Sequence, residues 1–134
     1  MDGFAWRDSY SISVPEIDDQ HKNLFAIADT LYRAALARAA HENLNELLGR
    51  LLVSSQQHFA TEERLMASSG FPHYAQHKRQ HDLFVGKAVS LRREFEAGEA
   101  DLIGKVLPFL SRWMSHHITN VDRRLGPHLN HQTL

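Results

Sequence analysis

Histidine is the residue type that stands out in this chain, with ten among 134 residues and no cysteine. Two pairs could act together: His58 with Glu62, and His77 with His81, on either side of Gly70-Phe71-Pro72. Side chains four apart on a helix share a face, so each pair can aim two donors at one point. Helices folded back on each other at the turn would bring all four donors together. Four donors suit only a single closed site, so further partners are expected, and His21, His117 and Asp122 are the candidates. The chemistry is metal binding through nitrogen and oxygen, because the absence of cysteine removes thiolate ligands, iron–sulfur clusters, disulfides and thiol nucleophiles.

The elements that must position these residues can be read from apolar spacing. Residues 1–15 read as an extended arm whose apolar Trp6, Tyr10, Ile12 and Val14 lie on the bundle surface, a strand being the rival. A first helix runs from about Glu16 to Ala39, with His21 on the stripe of Leu24, Phe25, Ala28 and Leu31. After a break at Ala40-His41-Glu42, Asn43 and Glu46 resemble a capping box that starts a second helix, which ends near Ser68. Gly70 is its expected C-cap, and Pro72 a first-turn residue of a third helix that stops at Gly98. The fourth helix spans about Asp101 to Leu125. Pro108 should kink it or delay its regular start, and Gly126-Pro127 should end it, leaving 126–134 as a frayed tail.

Four helices with short connections predict an all-α, up-down-up-down antiparallel four-helix bundle in a single domain, the bundle occupying 16–125. Chain direction then places all seven candidate donors at one end. Any one of them alone would more often be a hydrogen-bonded core residue or surface chemistry. Together, at one level of an apolar interior, they would cost about 1 to 3 kcal/mol each if left unpaired, and a metal satisfies them most simply. His117 and Asp122 fit least well, since five residues on an α-helix are offset by about 140°. The breadth of a dimetal centre, with a bridging carboxylate reaching a different point from a terminal imidazole, would absorb that offset. A local π-type widening would also bring them together, and spacing alone leaves His116 as a rival to His117.

Composition sets outer bounds. The hydrophobic fraction of 43% and charged fraction of 23% are those of an ordinary globular domain. A net charge of -1 with scattered Lys and Arg gives no surface for nucleic acid or an anionic membrane. No apolar run approaches the ~20 residues needed to span a bilayer, and the amino terminus lacks a secretory pattern, so a cytoplasmic location is expected.

IDDQH at 17–21, HFATEE at 58–63, GFPHYAQHKRQHD at 70–82 and WMSHHITNVD at 113–122 resemble, in order, the signature segments of the hemerythrin family, particularly its bacterial members. The resemblance favours His117 over His116 and gives His41, His73, His116, His128 and His131 no part. It implies a non-haem centre of two Fe ions, bridged by Glu62, Asp122 and an oxo or hydroxo group. His77, His81 and His117 would saturate one iron, while His21 and His58 would leave the other an open position for O2. The implied function is reversible O2 binding for storage, transport or delivery, without enzymatic turnover. Its rivals are a redox or oxygen sensor read by a separate partner, and a di-iron enzyme acting on peroxide or nitric oxide. A monomer that passes O2 to an oxygen-consuming enzyme completes the expectation. Two departures stand out: Phe71, where Tyr is frequent, and Met114, where Leu is more usual and where a thioether could alter access to the pocket.

Overall fold

Apolar stripes at helical spacing give four long helical runs in the computed structural model, which describes residues 4–132 and the side chains of all but 119–121, 131 and 132. Helix α1 is Pro15–Leu36, α2 is His41–Ser69 and α3 is Tyr74–Glu96. The last run begins with a π-helical segment, Leu102–Val106, and continues through α4, Leu107–His116. A second π-helical segment, His117–Asp122, leads into α5, Arg123–Gln132. The short connections force antiparallel neighbours, with α1 against α2, α2 against α3, and α3 and α1 both against the Leu102–Val106 segment. The result is the expected up-down-up-down bundle, and no strand occurs among the described residues.

Several ends differ from the sequence expectation. Helix α2 starts at His41, and its N-cap, Ala40, offers no side-chain hydrogen bond, so the Asn43/Glu46 box does not form. Packing decides the start instead: the His41 ring stacks on Phe95 at 4.4 Å. Asn45 is occupied by Arg92, whose Nε donates to Asn45 Oδ1 at 3.2 Å. Pro72 lies in the turn, not in α3, which begins at Tyr74. Gly70 does close α2 in the left-handed conformation, φ 68°, where Phe71 N donates to Met66 O at 3.0 Å. Pro108 delays the α-helix as expected, since it follows the π segment at the second position of α4.

The largest correction is at the carboxyl end. Gly126-Pro127 does not end the helix, which continues to Gln132 with Pro127 inside it. An interior proline costs about 3 kcal/mol, and tertiary contacts offset it. Leu125 is fully buried with Ile12, Ile17, Met66 and Phe71, and Leu129 packs on the same cluster. His128 Nε2 donates to Ser69 O at 3.0 Å, and Asn130 Nδ2 to Ser13 O at 3.0 Å.

The amino-terminal arm is fastened along α1. Asp18 accepts from Ile12 N at 2.9 Å and from Ser11 Oγ at 2.5 Å, while Tyr10 stacks on Phe25 at 5.3 Å. Its backbone runs so close to α5 that a Cβ at Gly126 would collide with the Ile12 carbonyl oxygen. Gly126→Ala should therefore push the arm away and cost about 1 to 3 kcal/mol, the usual range for overpacking. A urea midpoint equal to that of the parent protein would show that the contact is slack.

Two apolar clusters result. The larger runs from Leu24 and Phe25 to Leu44 and Phe95 at the far end, and includes Met114, 5% exposed. The smaller joins the arm to the near ends of the helices. Ile17, Met66 and Leu125 of the smaller cluster lie one turn from His21, Glu62 and Asp122, so a polar layer is enclosed between two dry ones.

Candidate metal centre

Every one of the seven candidate donors lies in that layer, and none is more than 3% exposed. Helix α1 supplies His21, α2 supplies His58 and Glu62, and α3 supplies His77 and His81. His117 and Asp122 open and close the second π segment. A π-helix repeats at i to i+5, so the widening that the sequence offered as one solution is the local structure. His116, on the α4 side of that junction, is exposed and outside the cluster.

The donors form two overlapping sets, within each of which the donor atoms lie within 4.8 Å of one another. One comprises Glu62, His77, His81, His117 and Asp122; the other comprises His21, His58, Glu62 and Asp122. Both carboxylates belong to both sets. Glu62 Oε1 meets His58 Nε2 and lies 3.7 Å from His21 Nε2, while Glu62 Oε2 is 2.7 Å from His77 Nε2. Asp122 Oδ2 lies 3.0 Å from His21 Nε2, and Oδ1 is 2.8 Å from His117 Nε2 and 2.9 Å from His77 Nε2.

Of these contacts only that between His77 Nε2 and Glu62 Oε2 is a hydrogen bond. Both Asp122 oxygens, Glu62 Oε1, His58 Nε2 and both nitrogens of His21 are sealed from solvent without a hydrogen bond of acceptable geometry. Buried polar atoms are ordinarily paired, and this many orphans facing one another are what a cation-binding donor set requires. The residues therefore fit a metal. Imidazole nitrogen with carboxylate oxygen suits Fe, Zn or Mn.

Surrounding residues fix the rings. His58 Nδ1 donates to Gln20 Oε1 at 2.6 Å, and Gln20 Nε2 donates to Thr61 Oγ1 at 3.1 Å. His81 Nδ1 donates to Glu63 Oε2 at 3.0 Å. A proton held on Nδ1 leaves the Nε2 lone pair facing the cluster, the arrangement that metal-ligating histidines adopt. Phe59 stacks on His81 at 4.0 Å and Trp113 on His117 at 4.3 Å, which limits ring rotation. Reading the sequence for donors had missed Gln20, Thr61 and Glu63. The available signal was their place one residue beside a donor or three after one, on helices otherwise read only for the inner face.

Electrostatics distinguish the rings. Burial lowers the pKa of His21, but the adjoining Asp122 and Glu62 carboxylates outweigh it and raise the value to about 9. His77 behaves alike, with the same opposition of burial against Asp122 and Glu62, and also reaches about 9. For His117 burial prevails and the pKa falls. Burial opposes ionisation of both carboxylates, and Glu62 adds to that at Asp122. The field of His58 and contacts from His21, His58 and His77 hold Glu62 well below its usual value. His117 and His21 do the same for Asp122.

An antiparallel helical bundle enclosing five imidazoles and two carboxylates is a cation-binding protein of the histidine–carboxylate class. Residues 13–129 match the hemerythrin HHE cation binding domain, and the chain belongs to the hemerythrin family. It is 34% identical to the bacteriohemerythrin of Stenotrophomonas maltophilia, covering 94% of this chain and 84% of that one. It is 33% identical to the bacteriohemerythrin of Methylococcus capsulatus, with coverage of 90% and 92%. Among solved structures, a crystal structure of wild-type hemerythrin superposes with a TM-score of 0.86 at 32% identity, covering 93% of this chain and 96% of that one. No described helix is long and apolar enough to cross a membrane.

Proposed function

We propose that this chain binds O2 reversibly at a centre of two iron ions held by His21, His58, Glu62, His77, His81, His117 and Asp122. The observation that carries the reading is the asymmetry of the two donor sets. They share Glu62 and Asp122, yet one has three imidazoles and the other has two. Two metals bridged by the shared carboxylates would then differ by one protein donor, and the position left free on the His21/His58 side is where O2 would enter. Iron held there would supply the redox chemistry for binding O2, lending electrons to it and taking them back on its release.

The chain's own residues favour reversibility. Glu62 and Asp122 are fully buried and held as anions, which balances much of the cation charge without water. Gln20 and Glu63 keep His58 and His81 in one tautomer, so neither ring needs to turn when the ligand set changes. The apolar layers on both sides exclude water, which would otherwise promote oxidation of the centre by O2.

Purified protein expressed with iron should contain about two Fe per chain, as in other di-iron bundles. Reduced anaerobically, it should gain an absorption band on addition of O2 and lose it when O2 is removed. One metal or none in well-folded protein would sink the two-iron reading. Irreversible loss of the band, or sustained consumption of peroxide or nitric oxide, would favour an enzyme over a carrier.

A further inference from the structure

A cleft of about 610 Å³ lies between α3 and the α4–α5 run, outside the donor cluster but reaching it. Arg79 and Gln76 line it from α3, His73 from the preceding turn and Arg124 from α5, and no carboxylate lines it. Some exposed cations have partners, as Arg33 with Asp29, Arg64 with Glu16, and Lys105 with Glu94. Arg79 and Arg124 have none among the described residues. Asp82, one turn from Arg79, is bound instead by Lys78 at 3.1 Å.

The floor of the cleft is the His77 ring. Its Nε2 faces Glu62 and Asp122 at 2.7 and 2.9 Å, inside the centre. With Nε2 turned to a metal, Nδ1 carries the proton and needs an acceptor. His58 and His81 have theirs in Gln20 and Glu63. For His77 the described protein supplies no acceptor, and Nδ1 is not among the nitrogens sealed from solvent. Two apolar side chains also line the cleft, the largely buried Phe71, edge-on to the His77 ring at 6.2 Å, and the 59% exposed Leu83.

We propose that this cleft is a binding site for a small organic oxyanion, a carboxylate or phosphate monoester with a compact apolar body. Arg79 and Arg124 neutralise its charge, guanidinium being the side chain best matched to the paired oxygens of such groups. One oxygen accepts the proton of His77 Nδ1, and the apolar body lies against Phe71 and Leu83. The bound anion thereby completes the hydrogen bonding of His77 as Glu63 completes that of His81, and it raises the donor strength of His77 toward the centre. The contact with His77 rests on the two-iron reading, whereas binding of the anion does not.

Calorimetric titration of the purified, metal-loaded protein tests this, with phenyl phosphate, inorganic phosphate and phenol as probes. Phenyl phosphate should bind with a Kd under about 1 mM, and R79Q/R124Q should weaken it by about tenfold or more. Inorganic phosphate should bind measurably weaker, and phenol not at all. The double variant should keep its helix content and metal content, since neither arginine touches the donor set. No heat with phenyl phosphate, or equal binding to the double variant, would overturn the site. Equal affinity for phosphate and phenyl phosphate would overturn the organic part of the assignment. Absorption of the metal centre should shift on saturation; an unchanged spectrum with binding intact would remove the His77 contact. These heats stand or fall whether or not the protein proves to hold two irons, so the two readings fail separately.

Discussion

Glu62→Ala is expected to empty the centre, taking the iron content from about two per chain to none, while His41→Ala leaves it unchanged. Glu62 is fully buried and its two oxygens face different donor sets, Oε1 toward His58 and His21 and Oε2 toward His77. On the proposed two-iron reading, removing it takes one donor from each metal and one negative charge from a dry site. Water entering the cavity could replace an oxygen donor but not the charge. Asp122→Ala should behave alike, because its oxygens reach His21 on one side and His77 and His117 on the other. His41 stacks on Phe95 in the far part of the bundle, and its loss should alter only local packing. Elemental analysis of the three variants, with helix content checked by circular dichroism, reads the result. If the His41 variant lost as much iron as the other two, the metal would be reporting general stability and the donor assignment would fail.

The residues that face the centre could be read from sequence because each sits on an apolar stripe, where a polar side chain has nowhere to go but inward. His21 lies one turn before Leu24 and Phe25, and Glu62 one turn before Met66, and the structure buries all of them. The offset between His117 and Asp122 allowed either a broad two-metal centre or a π-type widening, and a π segment spans them. What escaped were residues whose partners are far away in sequence. Asp18 looks like a first-turn acid of α1, yet its carboxylate holds the backbone of the arm. Glu63 looks like a surface residue of α2 until α3 packs alongside and presents the His81 ring. Gly126-Pro127 is a strong local stop, overridden because Leu125 and Leu129 have a cluster to join and His128 has the Ser69 carbonyl to bind. Local propensity is a weak prior wherever tertiary burial is available.

The metal-free protein, prepared by chelation, should be most stable near pH 6.5 and lose stability steadily as the pH rises toward 9. His21 and His77 have folded pKa values of about 9 against 6.5 for a free histidine. Below 6.5 both are protonated in the folded and unfolded chain alike, and the stabilisation from their pairing with Asp122 and Glu62 is fully present. Between 6.5 and 9 only the folded chain keeps the two protons, so each unit of pH weakens it, and above 9 the effect is spent. The acid side has the opposite sign. His117 is lowered by burial, so the unfolded chain gains a proton there first as pH falls below 6.5. Glu62 and Asp122, both depressed, lose their contribution as pH falls from their ordinary values of 4.5 and 3.8. Metal binding must displace the protons of His21 and His77, so the loaded protein should lack the decline between 6.5 and 9 and should release protons when it forms at neutral pH. Urea midpoints of both forms from pH 5 to 10 make the comparison. A flat profile for the metal-free protein across 6.5 to 9 would mean that the two carboxylates do not hold His21 and His77 protonated, and that the orphaned donors are satisfied in some other way.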